Sequence, residues 1–427
     1  MRKKSRSILA IVFTVCLVFA LTACNGNTST PNGKAPAGEA PATIKIGIPT
    51  PITGMIAGFG QGTPFIEQLV VDTVNADGGI YIEEYDKKIP IEIIVVDTES
   101  DPTKAGEVAE QLVTKDGVNM LLARHTPNTT VPTALVGERL GVPTVSNGCP
   151  TGPLMDAGPF KWVYHAFWDT SDAFDVFIGM WQELGYKEGT VVGFMFPNDS
   201  DGLAWAAMAK DKCEAAGYVI CDPGTYPIGN TDWTPIINKY KTDGVQIIVG
   251  DDVAMDFSSF ITQAAQQDLS YDLISMGRAF LFPSDANALP LELAHGLTNE
   301  VWWTPAYPFK SSLDGTTAQE LADKWMEYSG DAWYATLGDK YSGMEIAVNA
   351  IKTAASLDPE KIREALAATD METISAHIKY DPETHVGVTP ITGGQWSLND
   401  AGDKVDLHVV YSGKFAEVKP DREIFKP

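Results

Sequence analysis

Short apolar runs rich in β-branched residues alternate with amphipathic stretches along the chain from Thr43 onward. The first predicted strands cover residues 44–49, 89–98, 119–123 and 142–146, and the helices between them cover residues 64–75, 105–117 and a segment that ends at Leu140. Regular alternation of strand and helix predicts a parallel sheet that is covered by helices on both faces.

The same alternation restarts after residue 171 and predicts a second α/β lobe. Its predicted strands cover residues 190–196, 218–226, 245–250 and 273–277, and its helices cover residues 172–184, 202–216, 234–241 and 258–267. Two such lobes in one chain leave a cleft between their sheets. Ligands of open α/β sheets bind beyond the carboxyl ends of the strands, so we expect a binding site there.

A third stretch, beginning with VWWTPAY at 301–307, predicts a return to the first lobe, and a Gly-rich tail from Asp381 completes the second. The expected N-terminal lobe therefore comprises residues 43–167 and 298–380, and the C-terminal lobe comprises residues 168–297 and 381–427. The expected hinge crossings lie near residues 166–171, 295–301 and 378–383. Three crossings favour hinge closure over free movement of the lobes.

The N-terminus has the order of features of a secretory signal. Four cations among the first six residues precede the apolar run 8–21, which ends at Leu21-Thr22-Ala23-Cys24. The run is too short for a transmembrane helix. It resembles a lipobox, which implies that residues 1–23 are a lipoprotein signal peptide and that Cys24 is the lipidated first residue of the mature chain. Residues 24–42, rich in small and polar residues, predict a disordered tether.

Charge excludes some partners. The net charge is −25, and removal of the signal takes away four cations and no acids, which makes it −29. This charge opposes binding to nucleic acid and to anionic lipid surfaces. The only membrane contact that we expect is therefore the lipid on Cys24.

Few cysteines remain after the signal and the lipidation site are set aside. Cys149, Cys213 and Cys221 are left, and an exported compartment permits a possible Cys213–Cys221 disulfide. The sequence has no CxxC pair and no histidine cluster with ligand spacing, so we predict no metal site.

Several segments resemble the solute-binding proteins of branched-chain amino acid type ABC importers. They are IKIGIPTPITGMIAGFGQG at 44–62, NADGGI at 75–80, VVDTESDPTKAGEVAEQLV at 95–113, LGVPTVSNG at 140–148, PNDSDGLAWA at 197–206, GRAFLFP at 277–283 and VWWTPAYPFKSSLDG at 301–315. The resemblance implies the type I periplasmic-binding-protein fold, in which two Rossmann-like lobes are joined by a three-segment hinge. It also implies a monomer without cofactors that works with importer permease subunits at the extracytoplasmic face of the cell membrane.

The resemblance places ligand-binding residues on loops at the carboxyl ends of the predicted strands. Phe59 falls on an aromatic wall, His125 to Thr129 on the loop after strand 119–123, and Gly148 to Thr151 on a loop that supplies backbone donors. The full candidate set is Phe59, His125, Thr126, Asn128, Thr129, Gly148, Cys149, Thr151, Trp168, Asp199, Asp252 and Arg278.

The sequence departs from the family pattern in this candidate set. Pro127 and Pro150 stand where the family commonly has Ser and Thr, and each removes an N–H donor. Ala279 stands where amino acid binders place an ammonium-binding glutamate. Arg278 beside it predicts either a bidentate contact with an anionic ligand or a salt bridge to Asp251 or Asp252. An amino acid, an amide and an aromatic or aliphatic carboxylate all remain open as ligands.

Two local patterns give further expectations. Trp302 and Trp303 are neighbours on a predicted strand, so at most one can face the cleft. The Asp-rich turn 198–202 mimics part of a calcium loop, but Ala209 stands where the loop needs a bidentate Glu, which favours a helix N-cap.

Catalytic motifs are missing from the sequence: it has neither a nucleophile elbow, nor a P-loop, nor a zinc-protease motif. We therefore expect no enzyme but a solute-binding lipoprotein that closes around its ligand and delivers it to an importer. A ligand-sensing module for a membrane receptor would have the same fold and pocket, so this alternative stays open.

Overall fold

The computed structural model describes residues 38–427, of which Glu39–Pro427 form one compact unit. The predicted signal peptide (1–23), the lipidation site Cys24 and most of the predicted tether lie outside the described residues. None of the helices in the described part is both long and apolar enough to cross a membrane.

Strands and helices alternate through most of the described chain. The strands are β1 (Ile44–Thr50), β2 (Ile80–Ile82), β3 (Lys87–Ile89), β4 (Ile91–Asp97), β5 (Met120–Arg124), β6 (Thr144–Asn147), β7 (Val163–Ala166), β8 (Val191–Met195), β9 (Val219–Cys221), β10 (Ile247–Asp251), β11 (Leu273–Gly277), β12 (Thr298–Val301), β13 (Asp370–Glu372), β14 (His377–Lys379), β15 (Val386–Gly387), β16 (Thr392–Leu398) and β17 (Val405–Tyr411). The helices are α1 (Phe65–Ala76), α2 (Pro102–Thr114), α3 (Thr126–Leu140), α4 (Thr151–Met155), α5 (Thr170–Glu183), α6 (Ser200–Ala215), α7 (Thr234–Asp243), α8 (Ala254–Gln266), α9 (Pro283–Ala286), α10 (Leu291–Ala294), α11 (Ala318–Ser329), α12 (Thr336–Ala354) and α13 (Pro359–Ala367).

The first lobe is built on a parallel sheet with the strand order β15-β7-β6-β5-β1-β4. Its central strands are apolar on both faces because helices cover both, and all five residues of β5 are buried. Pairing runs from β1 to β4 on one side and to β5 on the other. The strand order therefore reverses between β1 and β5.

The second lobe repeats this arrangement and adds an antiparallel edge. Its sheet has the order β17-β16-β12-β11-β10-β8-β9, in which β12 pairs antiparallel with β16 and β16 antiparallel with β17. The strand order reverses here between β8 and β10. The two mostly parallel sheets confirm the predicted two-lobed α/β fold.

Capping side chains set several helix starts. The Asp101 side chain accepts from the backbone of Lys104 at the start of α2, and Asp169 and Asp172 form a reciprocal capping box at the start of α5. The Asp-rich turn before α6 also caps a helix, because the Asp199 side chain accepts from the backbone N–H of Gly202. The N-cap interpretation of residues 198–202 was therefore correct.

Two of the expected lobe boundaries are wrong. The segment 298–301 was assigned to the first lobe, but β12 lies in the second sheet, between β11 and β16. The segment from 381 was assigned to the second lobe, but β15 pairs with β7 in the first sheet. In both places the chain leaves a sheet only after its last paired strand.

Two further expectations do not hold in the second lobe. The strand predicted over 218–226 ends at Cys221, because Pro223 and Gly224 follow and Gly224 has a φ of +85°. Cys213 and Cys221, considered as a possible disulfide, are both free, buried thiols. The Cys221 thiol lies beside the Asp243 carboxylate at the end of α7, while Cys213 is buried on α6.

Helix α12 forms the centre of the first lobe and is buried along most of its length. It lies against Trp303, whose indole sits where a side chain on Gly338 would be: a Cβ at that position would come 2.2 Å from the ring. Trp303 is therefore a packing residue, and its neighbour Trp302 faces the cleft, as the alternation along a strand requires.

Candidate ligand-binding cleft

The cleft lies where both strand orders reverse. Open α/β sheets bind ligands outside the carboxyl ends of the strands at this switch point. In the first lobe the ends of β1 and β5 border it, and in the second lobe the ends of β8 and β10 do so. The residues that line the cavity come from both lobes: Phe59, Thr126, Gly148, Pro150, Trp168, Asp201, Trp205, Asp251, Arg278, Leu281, Glu300 and Trp302.

Strained backbone brings the first-lobe side chains to the cleft. His125 and Thr126, directly after β5, have φ angles of +72° and +63°, in the left-handed region that residues other than glycine rarely adopt. The Thr126 N–H donates to the Gly148 carbonyl at 3.1 Å, which ties this turn to the loop after β6. Such outliers concentrate at binding and catalytic sites, where the surrounding structure holds them in place.

Aromatic rings form one wall of the cavity. The Trp302 ring is stacked with Phe59 at a centroid distance of 6.2 Å, and Trp168 lies 5.8 Å from it. Trp205 from the second lobe stands edge-on to Trp168 at 6.1 Å. The rings present a continuous apolar and π-rich surface to a ligand.

A single guanidinium and several carboxylates form the opposite side. Arg278 Nη1 lies 2.8 Å from Asp199 Oδ2 and 3.6 Å from Asp201 Oδ2, and Arg278 Nη2 lies 3.2 Å from Asp251 Oδ2. Arg278 also has a left-handed φ of +61°. Its two terminal nitrogens are thus engaged by aspartates of the same lobe.

Burial makes it costly for these acids to be charged. It raises the pKa of Asp201 to about 6 and the pKa of Glu300 to about 8, and it raises the pKa of Asp251 well above its ordinary value, although Arg278 acts in the opposite direction on both aspartates. Glu300 on β12 is 1% exposed, and its Oε2 has no hydrogen-bond partner within the described residues.

The cavity between these walls is small. Its volume is about 20 Å³, which is room for one water molecule. A solute of the size of an amino acid therefore fits only when the side chains or the lobes move apart.

Direct hydrogen bonds join the lobes at the mouth of the cleft. Asn128 Nδ2, on the first turn of α3, donates to Asp199 Oδ2 at 3.0 Å. Ser200 Oγ donates to Asn128 Oδ1 at 2.7 Å. On another side, the Phe59 ring meets Phe282 edge-on at 5.1 Å. One amide thus binds the same carboxylate that holds Arg278.

A buried polar cluster lies behind His125 in the first lobe. Arg124 and Glu67 form an ion pair that is fully buried, and Lys340 Nζ donates to Thr336 Oγ1 at 2.8 Å. Burial, followed by the charges of Lys340 and Arg124, holds the pKa of His125 well below its usual range. His125 is therefore a neutral side chain at neutral pH.

The structure brings most, but not all, of the expected residues to the cleft. Phe59, Thr126, Gly148, Trp168 and Arg278 line the cavity. Asp199 contacts Arg278 of that lining, and the His125 ring lies 6.3 Å from the Phe59 ring. Asn128 contacts Asp199 and Ser200, which lie just outside the lining. Of the alternatives for Arg278, the structure supports the salt bridge, including the one to Asp251.

The remaining expected residues point elsewhere in the structure. Thr129 Oγ1 donates to the Arg124 carbonyl at 3.2 Å, the Cys149 thiol is buried against the Pro150 carbonyl, and Thr151 Oγ1 donates to the Trp168 carbonyl at 3.1 Å. Asp252 accepts from Tyr226 Oη at 2.9 Å. These four residues support the loops behind the cleft.

Glu300 and Trp205 line the cavity but were not expected there. Each lies inside a regular element, so its orientation depends on register, and loops were the expected source of ligand contacts. A signal for Glu300 exists nonetheless: it is a lone carboxylate in the buried stretch Thr298–Val301. Such a residue is seldom structural unless it is paired.

Paired α/β lobes with a cleft at their switch points define the type I periplasmic-binding-protein class. The model of the family described as "Periplasmic binding protein" matches residues 43–403. The chain belongs to this family, whose members bind solutes.

Curated relatives cover nearly the whole chain. The leucine-, isoleucine-, valine-, threonine- and alanine-binding protein of Pseudomonas aeruginosa is 23% identical over 354 residues, which cover 83% of this chain and 90% of that protein. Leu/Ile/Val-binding protein homolog 2 of Brucella abortus is 22% identical over 84% of this chain and 92% of its own length.

Solved structures share the fold. A leucine-binding protein from Thermotoga maritima superposes with a TM-score of 0.72 at 18% identity, covering 87% of this chain and 99% of its own. A solute-binding protein of an ABC transporter from Rhodopseudomonas palustris, in complex with 3,4-dihydroxybenzoic acid, gives a TM-score of 0.70 at 19% identity, covering 89% and 99%. Together these likenesses confirm the expected type I fold.

Proposed function

We propose that this chain is an exported, lipid-anchored binding protein that captures a small organic solute and delivers it to an ABC importer. The observation that carries the proposal is the shared lining of one cavity, to which the first lobe contributes Thr126 and Gly148 and the second contributes Arg278 and Glu300. A site divided between two lobes binds its ligand most tightly when the lobes are closed. A partner in the membrane can then recognise the closed, ligand-bound form.

Closure is driven by contacts that only the closed form offers. A ligand seated on the first lobe gains contacts with Trp205, Asp251 and Glu300 when the second lobe arrives, and its differential affinity sets the shift in population. The hydrogen bonds from Asn128 to Asp199 and from Ser200 to Asn128 add to the closed form.

The ligand is a small organic molecule, and the lining argues against simple transfer of the relatives' ligands. Relatives named for leucine, isoleucine and valine and a neighbour solved with a dihydroxybenzoic acid share the fold, but sequence identity near 20% does not carry a pocket. Arg278 is the side chain that would contact an anionic ligand, but it is already paired with three aspartates.

Ligand capture is tested with the protein as isolated from its native membrane. Native mass spectrometry should reveal a bound small molecule, and the same molecule, added back after its removal, should raise the melting temperature. The molecule should be recovered with its mass unchanged. A protein with no bound solute and no stabilisation by any amino acid, amine, amide or carboxylate would refute the proposal.

Anchoring is tested separately with Cys24→Ser. The wild-type chain should fractionate with membranes, and the variant should be released from them. Cys221→Ser is the matched control, since Cys221 is a buried free thiol of the folded body, and this variant should stay with the membrane. Release of both variants, or of neither, would contradict anchoring through Cys24.

A further inference from the structure

We infer that the cleft selects an organic cation that carries no carboxylate, such as an amine or a quaternary ammonium compound. The inference rests on the proposed solute-binding function and names the ligand class. It excludes the amino acids and carboxylates, which the sequence leaves open as ligands.

The charge balance of the cavity is the first argument. Three of its lining residues are acids (Asp201, Asp251 and Glu300), and Arg278 is the single cation among the lining residues in the described part of the chain. Asp199 adds a fourth carboxylate within 2.8 Å of the guanidinium. The acids thus outnumber the cations of the site, and a ligand that supplies positive charge favours the ionised form of these carboxylates and is itself favoured.

Arg278 offers little to a ligand carboxylate. Nη1 faces Asp199 and Asp201, and Nη2 faces Asp251. Nε is the one nitrogen of this side chain that has no hydrogen-bond partner within the described residues. A single N–H cannot replace the bidentate contact that a carboxylate makes with a free guanidinium, and the surrounding aspartates repel the anion.

Glu300 is the acid of the lining that has no cation beside it. It lies on β12, is 1% exposed and has no cation within salt-bridge distance in residues 38–427. Its Oε2 is buried without a hydrogen-bond partner while the residue lines the cavity. A buried carboxylate without a paired cation is unfavourable, and a cation bound beside it offsets that cost.

The aromatic wall suits the same ligand. Trp302 follows directly after β12, two residues beyond Glu300. The rings of Phe59 and Trp168 flank the Trp302 ring. Cations, quaternary ammonium groups above all, bind over the faces of such rings. Carboxylates are repelled by the electron-rich faces of these rings. The aromatic wall therefore favours cations over anions, as the acidic residues do.

The polar atoms on the first-lobe side are neutral. Thr126 Oγ1 and Trp168 Nε1 are buried without partners within the described residues, and both belong to residues that line the cavity. They suit a hydroxyl or ether oxygen at the far end of the ligand. His125, nearby, is neutral as well.

Isothermal titration calorimetry at pH 8 with defined probes tests the inference. The probes are choline, phenethylamine, leucine, benzoate and 3,3-dimethylbutan-1-ol, the neutral isostere of choline. We expect choline or phenethylamine to bind at least about tenfold more tightly than the other three, because loss of a buried charge contact costs more than 1.4 kcal/mol. Which of the two binds better separates a quaternary from a primary ammonium ligand.

The outcomes separate the two proposals. Tighter binding of leucine or benzoate, or equal binding of choline and its isostere, would overturn the cation inference while leaving solute binding intact. Absence of binding by every probe, together with the absence of any solute in the native mass spectrum, would overturn both.

Glu300→Gln tests the residue that carries the inference. It keeps the shape but cannot ionise beside a bound cation, so the cation that binds the wild type should lose about 30-fold or more in affinity. Glu345→Gln is the matched control, because Glu345 is equally buried but accepts from the backbone N–H groups of Ile374 and Ser312 inside the first lobe. Its affinity should equal that of the wild type. Equal losses in both variants would count against a ligand contact of Glu300.

Trp302→Leu provides a second variant if Glu300→Gln does not fold by circular dichroism. It removes the aromatic face and should also weaken cation binding about tenfold or more. Trp325→Leu is its control, because Trp325 is a buried residue of the first lobe whose indole N–H donates to the Ala332 carbonyl. Unchanged cation affinity in Trp302→Leu would contradict the aromatic part of the inference.

Discussion

Arg278 determines the charge of the cleft at the scale of single residues. It is nearly fully buried, and each of its terminal nitrogens faces an aspartate. Burial favours its neutral form, and the aspartates outweigh that effect, so the pKa of Arg278 is raised and the residue stays charged. The guanidinium is thus a structural counter-ion for the loops after β8, β10 and β11.

Arg278→Met should destabilise the protein strongly. The change leaves several buried carboxylates without their cation, and breaking a buried ion pair from one side costs about 3–5 kcal/mol. Urea unfolding at pH 7.5 measures the loss. Arg139→Met is the control, since Arg139 pairs with Glu110 on the exposed surface and should lose at most about 1 kcal/mol. Similar losses in both variants would show that Arg278 is no such counter-ion.

Buried acids also set a pH dependence of stability. The pKa values of Glu300, Asp252, Asp339 and Glu345 are each raised by burial to about 8. Between the ordinary pKa near 4 and this value, the folded state holds protons that the unfolded state has lost. The free energy of unfolding should therefore fall as pH rises from 5 to 7. Above pH 7 Lys340 opposes this trend, because burial lowers its pKa to about 7.

Glu300→Gln should flatten this slope by up to about 1.4 kcal/mol per pH unit, since one proton fewer is released on unfolding. Urea unfolding at pH 5, 6 and 7 measures it. The exposed Glu110→Gln should leave the slope unchanged. A wild-type protein that becomes more stable from pH 5 to 7 would contradict the assignment of these buried acids.

Sequence reasoning found about half of the cleft at this scale. Phe59, Thr126 and Trp168 were expected because they follow predicted strands in a recognisable pattern. Glu300 was missed because its side chain reaches the cavity only through the register of β12 with β16, which joins residues far apart in the chain. Asp252 was placed in the site, but the side chain that faces the cavity is that of its neighbour Asp251.

Helix α12 shows at the scale of elements how packing limits substitution. Gly338 lies in its first turn, against the Trp303 ring. A methyl group there has no room, because Trp303 is itself held by a hydrogen bond from its Nε1 to the Ile374 carbonyl at 3.3 Å.

Gly338→Ala should destabilise the first lobe by about 1–3 kcal/mol through overpacking. Gly106→Ala is the matched control: it also lies within a helix, α2, but the nearest atom to its new Cβ is 3.7 Å away. That variant should gain about 0.5–1 kcal/mol from helix propensity. Thermal unfolding of both variants measures the change in stability. We expect the melting temperature to fall in Gly338→Ala and to rise in Gly106→Ala. A stabilised Gly338→Ala would contradict the tight contact with Trp303.

Most strands and helices were predictable, and the lobe boundaries were not. Strands β1, β5 and β11 lie within a residue or two of their predicted positions, because continuous apolar runs mark buried parallel strands. Membership of β12 and β15 in one sheet or the other depends on pairing between distant segments. Apolar patterns along the chain do not contain that information.

At the scale of the whole molecule, the contact of Asn128 with Asp199 and Ser200 joins the two lobes directly. Two hydrogen bonds join α3 to the N-terminus of α6. One of them is charge-assisted, which is worth about 1.5–3 kcal/mol.

Asn128→Ala should shift the protein toward an open form by about tenfold or more, because both bonds exist only when the lobes touch. Small-angle X-ray scattering should show a larger radius of gyration, and the affinity for the bound solute should fall by a similar factor. Gln319→Ala removes a hydrogen bond to Asp323 within α11 and should change neither quantity. An unchanged radius in Asn128→Ala would show that these bonds do not hold the lobes together.

The position of β15 has a consequence for biosynthesis. This strand completes the first sheet with Val386 and Gly387, and the second sheet still awaits β16 and β17. The first sheet cannot be complete before residue 387 has been synthesised, and the second cannot be complete before residue 411 has been. Neither lobe can therefore form as an independent N-terminal unit, and both are completed only when almost all of the described chain has been made.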